Sequence, residues 1–345
     1  MIAKYQPVSE SDASHCAEKR SPAANSAVAG ALVEGREIDA FAAESAAIAG
    51  SANRQDDQKL DDETPDTEGH ILQHEVIVTG QWAVLAQVAG SCDLPGDTLL
   101  EAAAKGAVWL QKSVGKRYRK PVRIRTFDQA AENDRILVNY APAVLAMTPA
   151  IPTLVANEKN YSVWDKPSGL LSQGSKWSDH CTITCQVEKI HNRKALLVHR
   201  LDRAARGLIV IAHTKNAVVA LADLFATRKV DKTYRAVVKG VYEPTLPVVL
   251  ESPVDGKPAH TEIVQAKQMP ETGRTALTVK IKTGRKHQIR SHLAQLGYPV
   301  VGDRLFDPNA VHREDLQLVA SELQFVCPFS KKHCHYISAA DNPGA

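Results

Sequence analysis

From Pro152 to about Ile337 the chain alternates short β-branched runs with Gly/Pro turns, and no other feature of its 345 residues constrains the fold as tightly. NYSVWDKPSG (160–169) reads as strand then turn, LLVHRLD (196–202) as strand then loop, and GLIVIAHT (207–214) as another strand. TYRAVVKG (233–240), TEIVQAK (261–267) and TALTVKIKT (275–283) continue the pattern. Only two segments carry a clear helical period: NAVVALADLFATRKV (216–230), and RKHQIRSHLAQLG (285–297), which Gly297 stops. Strands that follow one another instead of alternating strictly with helices predict an α+β fold with a mixed, mainly antiparallel sheet. The domain is expected over residues 152–340.

Two other regions precede it. Residues 1–70 hold 6 Lys/Arg against 14 Asp/Glu, so they carry 6 − 14 = −8, and their Ala/Ser-rich, aperiodic sequence predicts a disordered acidic leader. The remainder has 42 − 6 = 36 basic and 39 − 14 = 25 acidic residues, or +11, a balance that suits a polyanionic partner. Residues 71–147 read as a small basic α+β module. HEVIVTG (74–80) is a strand; DTLLEAAAKGAVWLQK (97–112) is a helix capped by Asp97 that runs into a strand; ENDRILVNYAP (132–142) is a closing strand. Between them KSVGKRYRKPVRIR (112–125) places seven Lys/Arg in fourteen residues. Lys116, Arg117, Arg119 and Lys120, with Tyr118 among them, form a candidate phosphate-tracking surface.

Six scattered cysteines (16, 92, 181, 185, 327, 334) do not make a disulfide framework in a chain of this length. His180, Cys181 and Cys185 invite a zinc reading, as do His333, Cys334 and His335, but neither set has the CxxC spacing of a knuckle, and no metal is expected. The start lacks the apolar core of a secretory signal, and no run of 18 apolar residues is present, so no membrane partner is expected and a cytoplasmic protein is.

The chemistry concentrates at His199-Arg200-Leu201-Asp202-Arg203-Ala204-Ala205-Arg206-Gly207-Leu208, where an apolar strand delivers a carboxylate between arginines into a loop. Taken alone, that is a structural ion pair. Three further segments change the reading: Asp165-Lys166-Pro167-Ser168-Gly169-Leu170; Lys232-Thr233-Tyr234-Arg235-Ala236 through Gly240; and Thr283-Gly284-Arg285-Lys286-His287-Gln288-Ile289-Arg290 with Gly297 and Val301-Gly302-Asp303. Together with Leu318 to Phe329 they resemble, in order and spacing, the motifs of the RluA-type pseudouridine synthases, which modify ribosomal and transfer RNA. The match covers roughly residues 155–337. The module at 71–147 resembles the small helix-plus-hairpin RNA-binding unit found ahead of many such domains, or is an unrelated α+β unit.

The resemblance implies an isomerase that breaks the bond between the anomeric carbon and the uracil nitrogen, turns the base and rejoins it through a ring carbon, with no cofactor. It implies that Asp202 attacks or stabilises the sugar. It further implies that Arg290 keeps that carboxylate charged, that Tyr234 stacks on the base and assists proton removal, and that Arg200 fills the gap left by a flipped uridine. Arg285 and His287 are assigned to substrate backbone or local structure. Arg206 departs from the pattern by standing where a small hydroxyl residue is usual; it is expected to add positive charge beside Asp202 and to grip phosphate or disturb the loop. Ribosomal RNA is the expected partner, transfer RNA the second, and a monomer the expected state. A non-catalytic RNA-binding or remodelling protein on the same fold is the alternative, although such a binder would not need Asp202, Tyr234 and Arg290 together. A sugar hydrolase lacks a second carboxylate in any motif.

Overall fold

The structure is a computed structural model that describes residues 71–80, 83–310 and 314–339; the expected acidic leader lies outside the described residues. The first elements are β1 (Leu72–Ile77), α1 (Val84–Cys92), α2 (Gly96–Ala104), β2 (Val108–Gln111), β3 (Ser113–Val114), β4 (Arg117–Tyr118), β5 (Val122–Arg123), β6 (Arg135–Tyr140) and the single turn α3 (Pro142–Leu145). An antiparallel sheet in the order β1-β6-β2-β5 packs Val108, Leu110, Ile136 and Val138 against Val88, Leu99 and Ala102 of the helices. The basic run folds back on itself as the hairpin β3–β4. Asp97 does not cap α2: Pro95 occupies the cap and Asp97 sits in the first turn, where its charge still complements the helix dipole. The sequence gives little sign of α1, because the segment is rich in small residues and its cap is a left-handed Ala83 with no side-chain bond.

The larger sheet is built from β7 (Thr153–Asn157), β8 (Tyr161–Lys166), β9 (Leu196–Leu197), β10 (Arg206–Ala212), β11 (Val230–Lys239), β12 (Val248–Leu250), β13 (Thr261–Met269), β14 (Arg274–Ile281), β15 (Leu318–Val326) and β16 (His333–Ile337). Helices α4 (Ile183–His191), α5 (Lys215–Ala226) and α6 (Gln288–Gln295) cover it. Its order is β12-β13-β14-β11-β15-β10-β8-β7, with β9 on β10 and β16 on β15, and every pair is antiparallel except β10–β15. Alternation along β10 explains its unbroken apolar sequence. Leu208, Val210 and Ala212 face a core that includes Ala217 and Leu221 of α5, while Ile209 and Ile211 face one that includes Ile183 and Val187 of α4. Burying each such Leu or Ile contributes about 1.5–3 kcal/mol. The other half of the sheet packs Ala236, Val238 and Val279 against Ile289 and Leu293 of α6.

The fold corrects two further expectations from the sequence. α5 ends at Ala226; Arg228 turns in the left-handed region (φ 58°) and Val230 already opens β11, so ATRKV is not helical. LLVHRLD pairs as a strand only at Leu196–Leu197, beyond which side chains hold the backbone. α4 occupies a segment that the sequence reading leaves unassigned, and just before it His180 and Cys181 meet the carbonyl of Met147.

Candidate active site

The loop carrying Asp202 is fastened from two directions before any substrate arrives. Ser172 Oγ donates to the Leu201 carbonyl (2.7 Å) and accepts from the Leu201 amide (3.0 Å). The turn after β8 grips the other side: the Gly169 amide donates to Arg203 O (2.9 Å) and Ser168 Oγ to Ala204 O (2.9 Å). Lys166, wholly buried at the end of β8, donates to the carbonyls of Pro167 (3.0 Å), Leu170 (2.8 Å) and Arg203 (3.2 Å). Burial pulls its pKa down to about 7, against the upward push of Asp202 and Asp165. Three carbonyls for three ammonium protons favour the cation. Just upstream, His199 stacks on Phe225 (centroids 4.3 Å) and its Nε2 accepts from the Val210 amide (2.9 Å). Burial, helped by Lys232, lowers its pKa to about 3, so this ring is a neutral acceptor.

Where the loop rejoins the sheet, Gly207 has φ 107° and pairs with Ala320 in the parallel β10–β15 ladder. A Cβ there would stand 2.4 Å from the Ala320 carbonyl oxygen, so glycine alone fits.

Arg290, on the first turn of α6, faces this loop. Its Nε and Nη2 donate to Asp303 Oδ2 and Oδ1 at 2.8 and 2.7 Å, a two-point fork that fixes the guanidinium plane. The third nitrogen, Nη1, is left 3.5 Å from Asp202 Oδ2. Burial lowers the Arg290 pKa, but the hydrogen bonds and charge of Asp303, joined by Asp202, more than restore it. Asp303 is itself fully buried, and its Oδ1 also accepts from the amides of Leu305 and Phe306. That turn sets the Phe306 ring beside Arg290 (5.4 Å) and edge-on to His287. His287 Nε2 lies 3.9 Å from Asp202 Oδ1.

Tyr234 sits on β11 at the seam between two cores, packed against both. Burial first, and Asp202 second, push its pKa up, so the phenol stays protonated. Arg200 is exposed beside the loop. Arg285 serves local structure: its Nε donates to Pro258 O and its amide to Gln288 Oε1. Arg206 does not join Asp202. As the first residue of β10 it lines a separate cavity of about 350 Å³ with Asp165, Ser168 and Asp315, because strand alternation turns it away from the loop. Lys116, Arg117, Arg119 and Lys120 are all exposed, whereas Lys112, Arg123 and Arg125 of the same run pair with Asp134 and Asp179. Sequence reasoning assigns no role to Asp303, Lys166 or Phe306. Lys166 and Asp303 nonetheless stand within motifs that carry the resemblance, which was the available signal.

This geometry accords with the comparisons to known proteins. A profile described as RNA pseudouridylate synthase matches residues 160–295. The chain is 32% identical over 231 residues to an uncharacterised RNA pseudouridine synthase of Aquifex aeolicus, covering 59% of this chain and 72% of that one. It is 36% identical to the dual-specificity RNA pseudouridine synthase RluA of Vibrio parahaemolyticus (48% and 74% covered) and 30% identical to tRNA pseudouridine synthase C of the same organism (54% and 89%). The chain belongs to the RluA-type RNA pseudouridine synthases. It is thus an isomerase acting on RNA, a pseudouridine synthase.

Proposed function

We propose that this synthase modifies uridine in ribosomal RNA, with transfer RNA the second candidate, and that Asp202 carries the chemistry with Arg290 and Tyr234. The observation that carries the assignment of Asp202 is the Arg290 fork: two nitrogens are locked on Asp303, and the third is presented to Asp202. A carboxylate oxygen of Asp202 attacks C1′ of the ribose while the electron pair of the C1′–N1 bond leaves with the uracil. The base turns within the pocket. C5 then bonds to C1′, and the ester electron pair returns to Asp202. C5 loses its proton and N1 gains one, so atoms and charge balance and no electron acceptor is required. The ring of Tyr234, protonated in the free enzyme, packs on the uracil and its hydroxyl assists removal of the C5 proton, with the regenerated Asp202 carboxylate a further base at hand.

Reaching a base in folded RNA requires flipping it out, which costs least in loops and bulges. Exposed Arg200 is placed to occupy the vacated gap, and the exposed hairpin tip to track phosphates. On this reading the enzyme acts as a monomer in the cytoplasm, with Asp202, Arg290 and Tyr234 supplied by one chain. Support for the RNA class comes from the relatives, two of which bear the names dual-specificity RNA and tRNA pseudouridine synthase.

The test is Asp202→Asn, which removes the reactive charge and almost no volume. Release of tritium from RNA labelled at uridine C5 should vanish while RNA affinity stays within about threefold, under 1 kcal/mol. Turnover by that variant would overturn the assignment. Pseudouridine mapping of ribosomal and transfer RNA from cells with and without the gene should show loss at one or a few uridines in loops. Loss confined to transfer RNA would make transfer RNA the substrate in place of ribosomal RNA.

A further inference from the structure

The basic run 112–125 is divided by the fold, and only its tip is free to meet RNA. Its last two arginines do something else. Arg125 donates from Nη1 and Nη2 to Asp179 Oδ1 and Oδ2 at 2.9 and 2.8 Å, again as a two-point fork. Arg123 lies 3.6 Å from the same carboxylate, donates from Nε to Gly106 O (2.8 Å), reaches the carbonyl of Ser175, and covers the Trp109 ring at 4.2 Å. Trp109 Nε1 donates to Lys176 O (2.9 Å), and the Asp179 amide to Lys105 O (3.1 Å). The fit is close: Gly106 has φ 83°, and a Cβ there would stand 2.2 Å from Asp179 Oδ1. Segment 174–180 of the synthase domain is therefore seated in a slot formed by β2, β5 and the end of α2.

That segment also leads straight to the catalytic loop. Leu171 and Thr182 pair as a bridge, Leu171 N donates to Cys181 O (3.0 Å), and Ile183 N donates to Leu171 O (2.8 Å). The next residue, Ser172, is the one whose hydroxyl holds Leu201, the neighbour of Asp202. A continuous set of hydrogen bonds thus runs from the sheet that bears the basic hairpin to the residue before the reactive carboxylate.

We infer that Asp179 is a specificity-determining positioning residue: by locking Arg123 and Arg125 it fixes the basic hairpin at one distance from the Asp202 pocket. The enzyme then reads uridines that lie at a set spacing from a phosphate-rich stretch of the same folded RNA. A tethered but undocked module would supply affinity without spacing, since its reach would be set by linker length. This inference rests on Asp202 being the reactive carboxylate and on the hairpin tip meeting RNA phosphate.

The experiment compares full-length wild type with Asp179→Asn, which keeps the volume and removes the charge, and with Gly106→Ala, which keeps every charge and crowds the slot. The probes are an unmodified large-subunit ribosomal RNA transcript labelled with tritium at uridine C5, and a short hairpin cut from it around whichever uridine the wild type modifies. Both variants should raise KM for the transcript about tenfold, the loss expected when two linked contacts are uncoupled, and leave kcat and KM for the hairpin unchanged. Amide exchange at Asp179, whose N–H donates to Lys105 O, should be slow in wild type and faster in both variants. Equal losses on both RNAs, or no loss on either, would overturn the inference. If the wild type releases no tritium from either RNA, the reading of the target fails instead; the lock is then judged by exchange alone, and an unprotected Asp179 amide in wild type would sink it.

Discussion

Replacing Asp303 with asparagine probes the site at a residue that never meets the substrate. Asparagine keeps the volume and one acceptor oxygen, so the amides of Leu305 and Phe306 retain their partner. The other oxygen becomes an NH2 group facing Arg290 Nε–H, two donors at a separation of 2.8 Å. Both residues are buried, and Asp303 is wholly so, so the guanidinium loses a compensating charge that solvent cannot replace. Breaking one side of such a pair costs about 3–5 kcal/mol, a large part of the roughly 5–15 kcal/mol that holds a domain together. Urea denaturation should show that loss as a lower midpoint with an unchanged slope. In the surviving folded fraction, the fork no longer fixes Nη1 at 3.5 Å from Asp202, and kcat should fall by about a hundredfold with RNA affinity nearly intact. Arg290→Lys is the companion variant; it retains the charge but not the two-point geometry, and should lose a similar factor in kcat at smaller cost in stability. Stability within about 1 kcal/mol of wild type, together with unimpaired kcat in Asp303→Asn, would refute the claim that the fork positions the cation.

Gly207→Ala should destabilise the protein by about 2–5 kcal/mol, combining a left-handed conformation with a Cβ forced against Ala320, and a midpoint shift under about 1 kcal/mol would show that the β10–β15 ladder yields easily. Neutralising Lys116, Arg117, Arg119 and Lys120 together should reduce the slope of log affinity against log salt by roughly three and leave kcat at saturation unchanged; an unaltered slope would mean that the hairpin only faces solvent. His199 has a folded pKa of about 3, below its unfolded value, so the unfolded chain binds the extra proton between that value and about 6.5. Stability should therefore fall with decreasing pH through that window, by up to about 1.4 kcal/mol per pH unit, and calorimetry of His199→Gln should show a shallower fall.

The class of fold was legible in the amino-acid sequence. The unbroken apolar run of β10, buried on both faces, and the alternating pattern of β11 both follow from side chains that point to opposite faces of a strand, a local rule that survives any packing. Asp202, Tyr234 and Arg290 were named from motif order, which is a property of the chain, and the fold brings Arg290 within 3.5 Å of Asp202. What tertiary structure decided is which charges meet. Arg206 and Arg290 are both arginines near a motif; strand alternation turns the first toward Asp165 and Asp315, while the helix turn and the buried Asp303 aim the second at Asp202. In the basic run, seven like charges look equivalent in one dimension, yet four remain in water and Arg123 and Arg125 are consumed by Asp179, far along the chain. Spacing along the chain carries no information about such partners, because an ion pair depends on distance in space and on the removal of water, and both arise only once the sheets have packed.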